Sequence, residues 1–340
     1  MTSMFRCLTV ASLLLLTLPP VADARSTVIK MASLAPDGSV WDQFLRDMGA
    51  EWQESTDGKV RLRLYPGGVA GDESDIVRKM RVGQLHAAAL SVGGLEAIDE
   101  SFKIFSIPMF FAAYDELYHV LDQLRPEFEK RLDAKGYVLL HWGNGGWVHL
   151  FSKQPIRTVD DLRRQKIFTG TGDSDSAALW RKNEFQTVAL ATTDLLTSLQ
   201  TGMVDVVPTT PLAALSLQWF RHTPYMQDLG LAPLVGATVV TKRLWNRLDE
   251  SSRDALRKAA RETETQLFDE IPKRDEEAIE QMRGRGLTVV PVPDGGEAAW
   301  QDAAKLFADY RRANTADRAL LDKIVETLET YRDAHAALEP

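Results

Sequence analysis

The stretch that decides the fold runs from Val28-Ile29-Lys30-Met31-Ala32 to Val60-Arg61-Leu62-Arg63-Leu64-Tyr65 and encloses a helical segment, Ser39 through Gln53. The first run is β-rich, and the second alternates between apolar and basic residues, which is typical of a strand. The segment between them repeats apolar residues at i, i+3, i+4 and i+7, namely Trp41, Phe44, Leu45 and Met48. A strand, a helix and a second strand in this order predict an α/β unit with parallel strands.

The same alternation of short β-rich runs and helical segments continues along the chain. It includes the predicted strands Val204-Asp205-Val206-Val207 and Val235-Gly236-Ala237-Thr238-Val239-Val240-Thr241. A long helical stretch, Asp249 to Arg283, follows and contains Pro272. We expect this proline to kink or interrupt the helix because it lacks the N–H that the helix needs. The pattern predicts an α/β fold with a long C-terminal helical stretch.

Residues 1–24 are predicted to be an export signal peptide. Arg6 precedes an apolar run from Leu8 to Leu18, and Ala22-Asp23-Ala24 has the small-x-small pattern of a cleavage site. The run is shorter than the ~20 apolar residues that a membrane-spanning helix requires. We therefore predict cleavage near Ala24 and a periplasmic location for the mature chain, with a buried N-terminal helix as the alternative interpretation.

Composition narrows the possible functions. Cys7 is the only cysteine and lies within the predicted signal peptide, so a disulfide, a thiolate nucleophile or a cysteine metal site is not expected in the mature chain. The net charge of −8 at pH 7 argues against a nucleic-acid partner. The roughly 316 residues that follow the predicted signal peptide exceed what one hydrophobic core usually serves, so we expect two lobes.

Several short sequence segments follow one another along the chain. They are Arg61-Leu62-Arg63-Leu64-Tyr65-Pro66-Gly67-Gly68, Gly71-Asp72-Glu73, Gly83-Gln84-Leu85-His86-Ala87-Ala88, Ser152-Lys153-Gln154-Pro155-Ile156, the pair Asp160-Asp161-Leu162 and Lys166-Ile167, and Leu199-Gln200-Thr201-Gly202-Met203-Val204-Asp205. In this order they resemble the periplasmic solute-binding proteins of TRAP transporters, of the dicarboxylate-binding type. The resemblance implies two α/β lobes that close on a ligand in the cleft between them. It also implies delivery of the solute to permease subunits that use an ion gradient.

The predicted lobes are discontinuous in sequence. The first lobe comprises residues 25–143, and residues 234–283 return to it. The second comprises residues 144–233, and residues 284–340 add to it. The chain is expected to cross between the lobes near Asn144 to Trp147 and again near Leu231 to Gly236.

The pocket is where this sequence departs from the family that it resembles. Members that bind carboxylates carry an arginine after the Lys-hydrophobic pair of a second-lobe strand, and here Phe168 follows Lys166-Ile167. A second basic residue of the family falls at Trp147 or Val148, and the asparagine of a later ligand loop corresponds to Thr209. The alternative is a misaligned strand, with Arg164 or Arg181 entering the cleft instead.

At the positions to which the resemblance assigns the ligand site, these replacements predict an aromatic cleft for an organic solute with a substantial apolar body. Burial of ~200 Å² of apolar ligand surface at ~25 cal/mol/Å² contributes ~5 kcal/mol, which is comparable to a bidentate ion pair. The predicted ligand-binding residues are Trp41, Ser91, Asn144, Trp147, Phe168, Thr169, Thr209 and Thr210.

The candidate catalytic and metal-binding sets are weak. His141 and His149 lie eight apart without a further ligand at a zinc-like spacing, and Ser91 lacks the glycine that a nucleophile elbow requires. Gly170-Thr171-Gly172-Asp173-Ser174 is predicted to cap a helix rather than to bind phosphate. We predict a receptor without catalytic residues, metal or cofactor, whose partners are a small organic solute and TRAP-type permease subunits. The alternatives are a receptor for a small organic acid with an atypical pocket, a secreted hydrolase and an envelope scaffold protein.

Overall fold

The computed structural model describes residues 26–170, 174–314 and 317–336. The predicted signal peptide and residues 171–173, on which the predicted helix cap falls, lie outside this range. The strands are β1 (Thr27–Ser33), β2 (Val60–Tyr65), β3 (Ala87–Ser91), β4 (Tyr137–Ser152), β5 (Lys166–Gly170), β6 (Gln186–Leu190), β7 (Val206–Thr209), β8 (Tyr225–Gln227), β9 (Ala232–Thr241) and β10 (Thr288–Val290).

Helices alternate with these strands. They are α1 (Val40–Ser55), α2 (Glu73–Arg81), α3 (Val92–Glu96), α4 (Tyr114–Ala134), α5 (Val159–Arg163), α6 (Ser174–Lys182), α7 (Leu195–Thr201), α8 (Pro211–Ser216), α9 (Lys242–Trp245), α10 (Glu250–Arg283), α11 (Glu297–Asn314) and α12 (Arg318–Ala336). Short 3₁₀ helices cover 100–106, 192–194 and 219–221. In the described part of the chain, no helix is both long enough and apolar enough to cross a bilayer.

The strands form two sheet regions that share β4. The first sheet has the order β2-β1-β3-β9-β4, and the second contains β7, β5 and β6 with β8 and β10. Within the first sheet, β1 is parallel to both β2 and β3, as the strand–helix–strand pattern predicts. The prediction of a two-lobed α/β architecture is confirmed, with one lobe built on each sheet.

The long strand β4 connects the lobes. It pairs antiparallel with β9 in the first sheet, and its last residues pair with β7 and β8 in the second. The register with β9 shifts between Asn144 and Trp147. Such an irregularity bends a strand and re-aims its side chains, and here it falls where β4 passes from one sheet to the other.

The two C-terminal helices divide between the lobes. In α12, Leu320 and Ile324 are buried in the core that α4 forms beneath the first sheet. In α11, Trp300 is buried in a core of the second lobe, and Phe307 lies 4.5 Å from the Trp180 ring, measured between ring centroids. This arrangement differs from the sequence-based assignment of all of residues 284–340 to the second lobe, because α12 packs on the first.

The helix α10 continues through Pro272 rather than ending there. Of the two expected outcomes, a kink or an interruption, the interruption is therefore wrong. Proline leaves the carbonyl four residues earlier, that of Phe268, without its helical N–H donor. The Tyr118 hydroxyl donates to this carbonyl oxygen at 3.1 Å, so a side chain from α4 replaces the missing hydrogen bond.

A candidate ligand-binding cleft between the lobes

A cavity of about 350 Å³ lies between the two sheets, with walls from both lobes. The first lobe contributes α1 and the ends of β1 and β3, and the second contributes β5, β7 and the 3₁₀ helix 219–221. The aromatic and leucine side chains that line the cavity are Leu34, Trp41, Phe44, Leu45, Leu90, Phe168, Leu217, Trp219, Leu234 and Leu267. The walls are thus mainly aromatic and aliphatic, as is common for small-molecule sites.

The structure brings some of the predicted site residues together and leaves others outside. The residues that line the cavity are Trp41, Ser91, Asn144, Phe168 and Thr209. The residues that lie outside its lining are Trp147, Thr169 and Thr210.

Trp147 belongs to the packing between β4 and its neighbours. Its ring meets Tyr114 edge to face, with ring centroids 5.1 Å apart, and a Cβ on Gly230 would lie 2.4 Å from its Nε1. Its backbone N–H donates to Asp275 Oδ2 at 2.9 Å. The register shift after Asn144 turns this residue away from the cleft, which corrects the sequence-based placement.

Thr169 and Thr210 are also placed outside the cleft, for different reasons. Thr169 follows Phe168 in β5, and successive strand residues point to opposite faces. Thr210 is fully buried and caps α8, where its hydroxyl accepts from the Ala213 N–H at 3.3 Å. The polar atoms expected to contact a ligand are directed into the protein instead.

Phe168 lies on the cleft side of β5. It is half-buried and packs against the core formed by Leu195, Leu199 and Trp219, whereas its neighbour Ile167 is buried in a separate core on the opposite face. The alternative arginines do not replace it. Arg164 pairs with Asp161 on the surface, and Arg181 is exposed on α6. Among the described residues that line the cavity, none is lysine or arginine.

Asn144 and Ser91 border the cavity, but their polar groups are engaged within the chain. Asn144 Nδ2 donates to Tyr118 Oη at 2.7 Å, and its backbone carbonyl accepts from Trp41 Nε1 at 3.1 Å. Ser91 Oγ donates to Glu73 Oε2 at 2.7 Å and accepts from the Gly93 N–H at 3.2 Å. Both residues therefore stiffen the walls instead of presenting free hydrogen-bonding groups.

The cavity also contains residues that sequence reasoning did not assign to the site, namely Ser33, Glu73, His141, Trp219 and Thr238. Burial raises the pKa of the Glu73 carboxyl, although the Ser91 N–H and hydroxyl oppose this effect. Burial lowers the pKa of His141. One available signal was that Ser33 ends a parallel strand, because the carboxyl ends of such strands commonly form ligand sites.

A buried carboxyl group links three elements behind the cleft. Asp275 on α10 accepts from the backbone N–H groups of Leu212 and Trp147, each at 2.9 Å. Burial raises the pKa of Asp275 to about 7 against the opposing effect of these donors. Gly146, with φ of 106°, passes so close that an added Cβ would lie 2.2 Å from Asp275 Oδ2. One carboxylate thus holds β4, α8 and α10 together where the chain crosses between lobes.

Comparison with known proteins gives a consistent result. Residues 31–313 match the family described as bacterial extracellular solute-binding protein, family 7. An uncharacterized protein of Salmonella typhimurium, YiiZ, is 23% identical over 320 residues, which cover 85% of this chain and 92% of YiiZ.

Two solved structures share the fold. The Bordetella pertussis receptor DctP7, which binds pyroglutamic acid, superposes with a TM-score of 0.82 at 18% identity and covers 89% of this chain and 100% of its own. A TRAP periplasmic solute-binding protein of Xanthobacter autotrophicus with bound β-D-galacturonate has the same TM-score and identity over 88% of this chain and 99% of its own. The chain therefore belongs to the bacterial extracellular solute-binding proteins of family 7.

Proposed function

We propose that this chain is the periplasmic receptor of a TRAP-type transporter, which captures an organic solute between its lobes and delivers it to membrane permease subunits. The observation that carries the proposal is the cavity of about 350 Å³ between the sheets, with walls from both lobes. A ligand at such a boundary loses water on both sides when the lobes approach. The predicted signal peptide supports the periplasmic location.

The solute is proposed to have a substantial apolar body. Trp41, Phe168 and Trp219 supply aromatic surface, and no described residue of the lining is lysine or arginine. A carboxylate enclosed in this cavity would lack a cationic partner, and an unpaired buried charge costs several kcal/mol. The organic-acid receptor is the second candidate, and the acids bound by the two solved relatives favour it.

Binding without turnover is the corresponding proposal about chemistry. His141 and His149 each face a backbone carbonyl through Nδ1, at 2.8 Å from Trp142 O and 3.0 Å from Gln227 O. Within the described residues, no group of three or more His, Cys, Asp or Glu is arranged to hold a metal ion. Ser91, the remaining candidate nucleophile, caps α3 by accepting from the Gly93 N–H, and its hydroxyl donates a hydrogen bond to Glu73.

The test is to identify the solute that the protein retains through purification. Small molecules released by denaturation are identified by mass spectrometry, and their binding to the emptied protein is measured by calorimetry. We expect a solute with an apolar body that binds unchanged and is not consumed. Trp219→Ala should weaken its binding, and the exposed Leu306→Ala serves as a control. Tight binding of β-D-galacturonate would favour the organic-acid candidate, and conversion of the solute would contradict the receptor function.

A further inference from the structure

Three polar side chains that border the cavity have buried atoms without a hydrogen-bond partner. They are Ser33 Oγ, Thr238 Oγ1 and His141 Nε2. The residues are only 1%, 1% and 2% exposed, respectively. A buried polar group left unpaired costs ~1–3 kcal/mol, so three at one site call for an explanation.

These residues form one row across the first sheet. Ser33 on β1 pairs with Ala89 on β3, Ala89 pairs with Thr238 on β9, and Thr238 pairs with His141 on β4. Side chains that pair in register share one face of a sheet. Neighbouring strands lie ~4.8 Å apart, so Thr238 and His141 are adjacent, and Ser33 lies ~10 Å from Thr238.

The next row towards the second lobe consists of two glycines. Two residues further along the strands, Gly236 pairs with Gly143, and both line the cavity. Because neither residue has a side chain, only backbone atoms border the cavity at these two positions, next to Thr238 and His141. A solute lying against this backbone would have one end near the polar row.

The hydrogen bond at His141 Nδ1 determines whether Nε2 donates or accepts. Nδ1 lies 2.8 Å from the Trp142 carbonyl oxygen, which can only accept, so Nδ1 carries the proton. Burial lowers the pKa of His141 and keeps the imidazole neutral. Nε2 is therefore a hydrogen-bond acceptor that requires a donor from its partner.

We propose that Ser33, Thr238 and His141 are the specificity-determining row of the cleft and recognise an uncharged donor, a hydroxyl or an amide, at the deep end of an apolar solute. His141 Nε2 accepts from this group, Thr238 Oγ1 is its second contact, and Ser33 meets another polar group further along the solute. A carboxylate does not meet the requirement because it cannot donate to Nε2 and has no cationic partner among the described lining residues. This assignment rests on the proposed receptor function.

The proposal makes different predictions for the stability of the empty protein and for its affinity for a solute. Thr238→Val and Ser33→Ala remove unpaired hydroxyls, so the empty protein should keep its Tm or gain. His141→Asn should retain a donor towards the Trp142 carbonyl while removing the acceptor. Thr263→Val makes the same change outside the cavity, at a hydroxyl that donates to the Ala259 carbonyl at 2.9 Å, and should not affect affinity.

The experiment measures Tm and calorimetric affinity with matched alcohols and acids: cinnamyl alcohol and cinnamate, and hexanediol and adipate. The alcohols should stabilise the wild-type protein more than the acids. Thr238→Val and His141→Asn should weaken binding of the alcohols about tenfold, which corresponds to about 1.4 kcal/mol.

Two outcomes would overturn the inference. One is a loss of Tm in empty Thr238→Val as large as that in Thr263→Val, since the Thr238 hydroxyl would then have a partner within the protein. The other is that the acids stabilise the protein, the alcohols do not, and the three substitutions leave the effect of the acids unchanged. This outcome would contradict the proposed row but not the receptor function. If neither class binds and no solute is retained through purification, the receptor function fails as well.

Discussion

At the residue scale, Phe168 belongs to two environments. It borders the cavity and also covers the core around Leu195 and Trp219. One side chain therefore forms part of the cavity wall and part of the packing of its own lobe.

Phe168→Arg should weaken binding of the retained solute by ~1–3 kcal/mol, because apolar contact is lost and a charge enters a dry site. The empty protein should lose only ~1–2 kcal/mol, since the side chain is half-buried. Chemical denaturation and ligand titration measure the two effects, with Phe168→Leu as the apolar control. A loss of ~3 kcal/mol or more in the empty protein would show that Phe168 acts mainly as a core residue.

Asp275 should make stability depend on pH. Its pKa of about 7 in the folded chain exceeds the ~3.9 of an unfolded aspartate, so the folded state retains the proton. The stabilisation is fully present below pH ~4 and is lost as the pH rises towards 7. Asp275→Asn should remove this contribution to the pH dependence of the free energy of unfolding, as measured by urea denaturation between pH ~4 and 7. An identical slope in both proteins would exclude the carboxyl as its source.

At the scale of elements, α4 and α10 are linked by a relay of hydrogen bonds. Asn144 donates to Tyr118 Oη, and the Tyr118 hydroxyl donates to the Phe268 carbonyl that Pro272 leaves unpaired. The Tyr118 and Phe268 rings also stack, with centroids 3.9 Å apart and an interplanar angle of 3°. The relay joins the crossing strand to the helix behind it.

Tyr118→Phe should keep the stacking and lose both hydrogen bonds of the hydroxyl. We expect the free energy of unfolding to fall by ~1–3 kcal/mol, since a carbonyl and an amide are left unpaired near the crossing. Thermal and urea denaturation measure the change, and Tyr331→Phe on α12 is the matched control. Equal stability of the wild-type protein and Tyr118→Phe would mean that water replaces the hydroxyl.

At the scale of the whole molecule, the two lobes are joined by strands that cross between them. The long strand β4 belongs to both sheets, and its register with β9 is broken between Asn144 and Trp147. A break in the ladder concentrates bending at a few residues, and such residues act as hinges in domain closure. We propose that the lobes approach each other about this point.

Addition of the retained solute should reduce the radius of gyration measured by small-angle X-ray scattering. The physical reason is that closure buries the solute between both lobes and expels water from the cleft. Thr263→Val, which retains the cleft, should become compact in the same way, whereas Trp219→Ala should require more solute. Unchanged compactness at saturating, stabilising solute would contradict closure.

The sequence by itself determined the local elements and the α/β class. Apolar periodicity is a local property, so the strands around Val28 and Val60 and the helix between them follow from residues that are neighbours in the chain. The Lys166-Ile167 pair likewise indicated which side of its strand Phe168 occupies, because side chains alternate with a period of two. These inferences needed no knowledge of distant residues.

Only the tertiary structure decided which polar groups meet at the cleft. The register shift after Asn144 moves Trp147 out of the cavity, and packing on α4 places α12 with the first lobe. The row of Ser33, Thr238 and His141 joins residues far apart in sequence through strand pairing. Periodicity specifies the face of each strand, but register and bulges depend on how strands pair, which a single sequence does not encode locally.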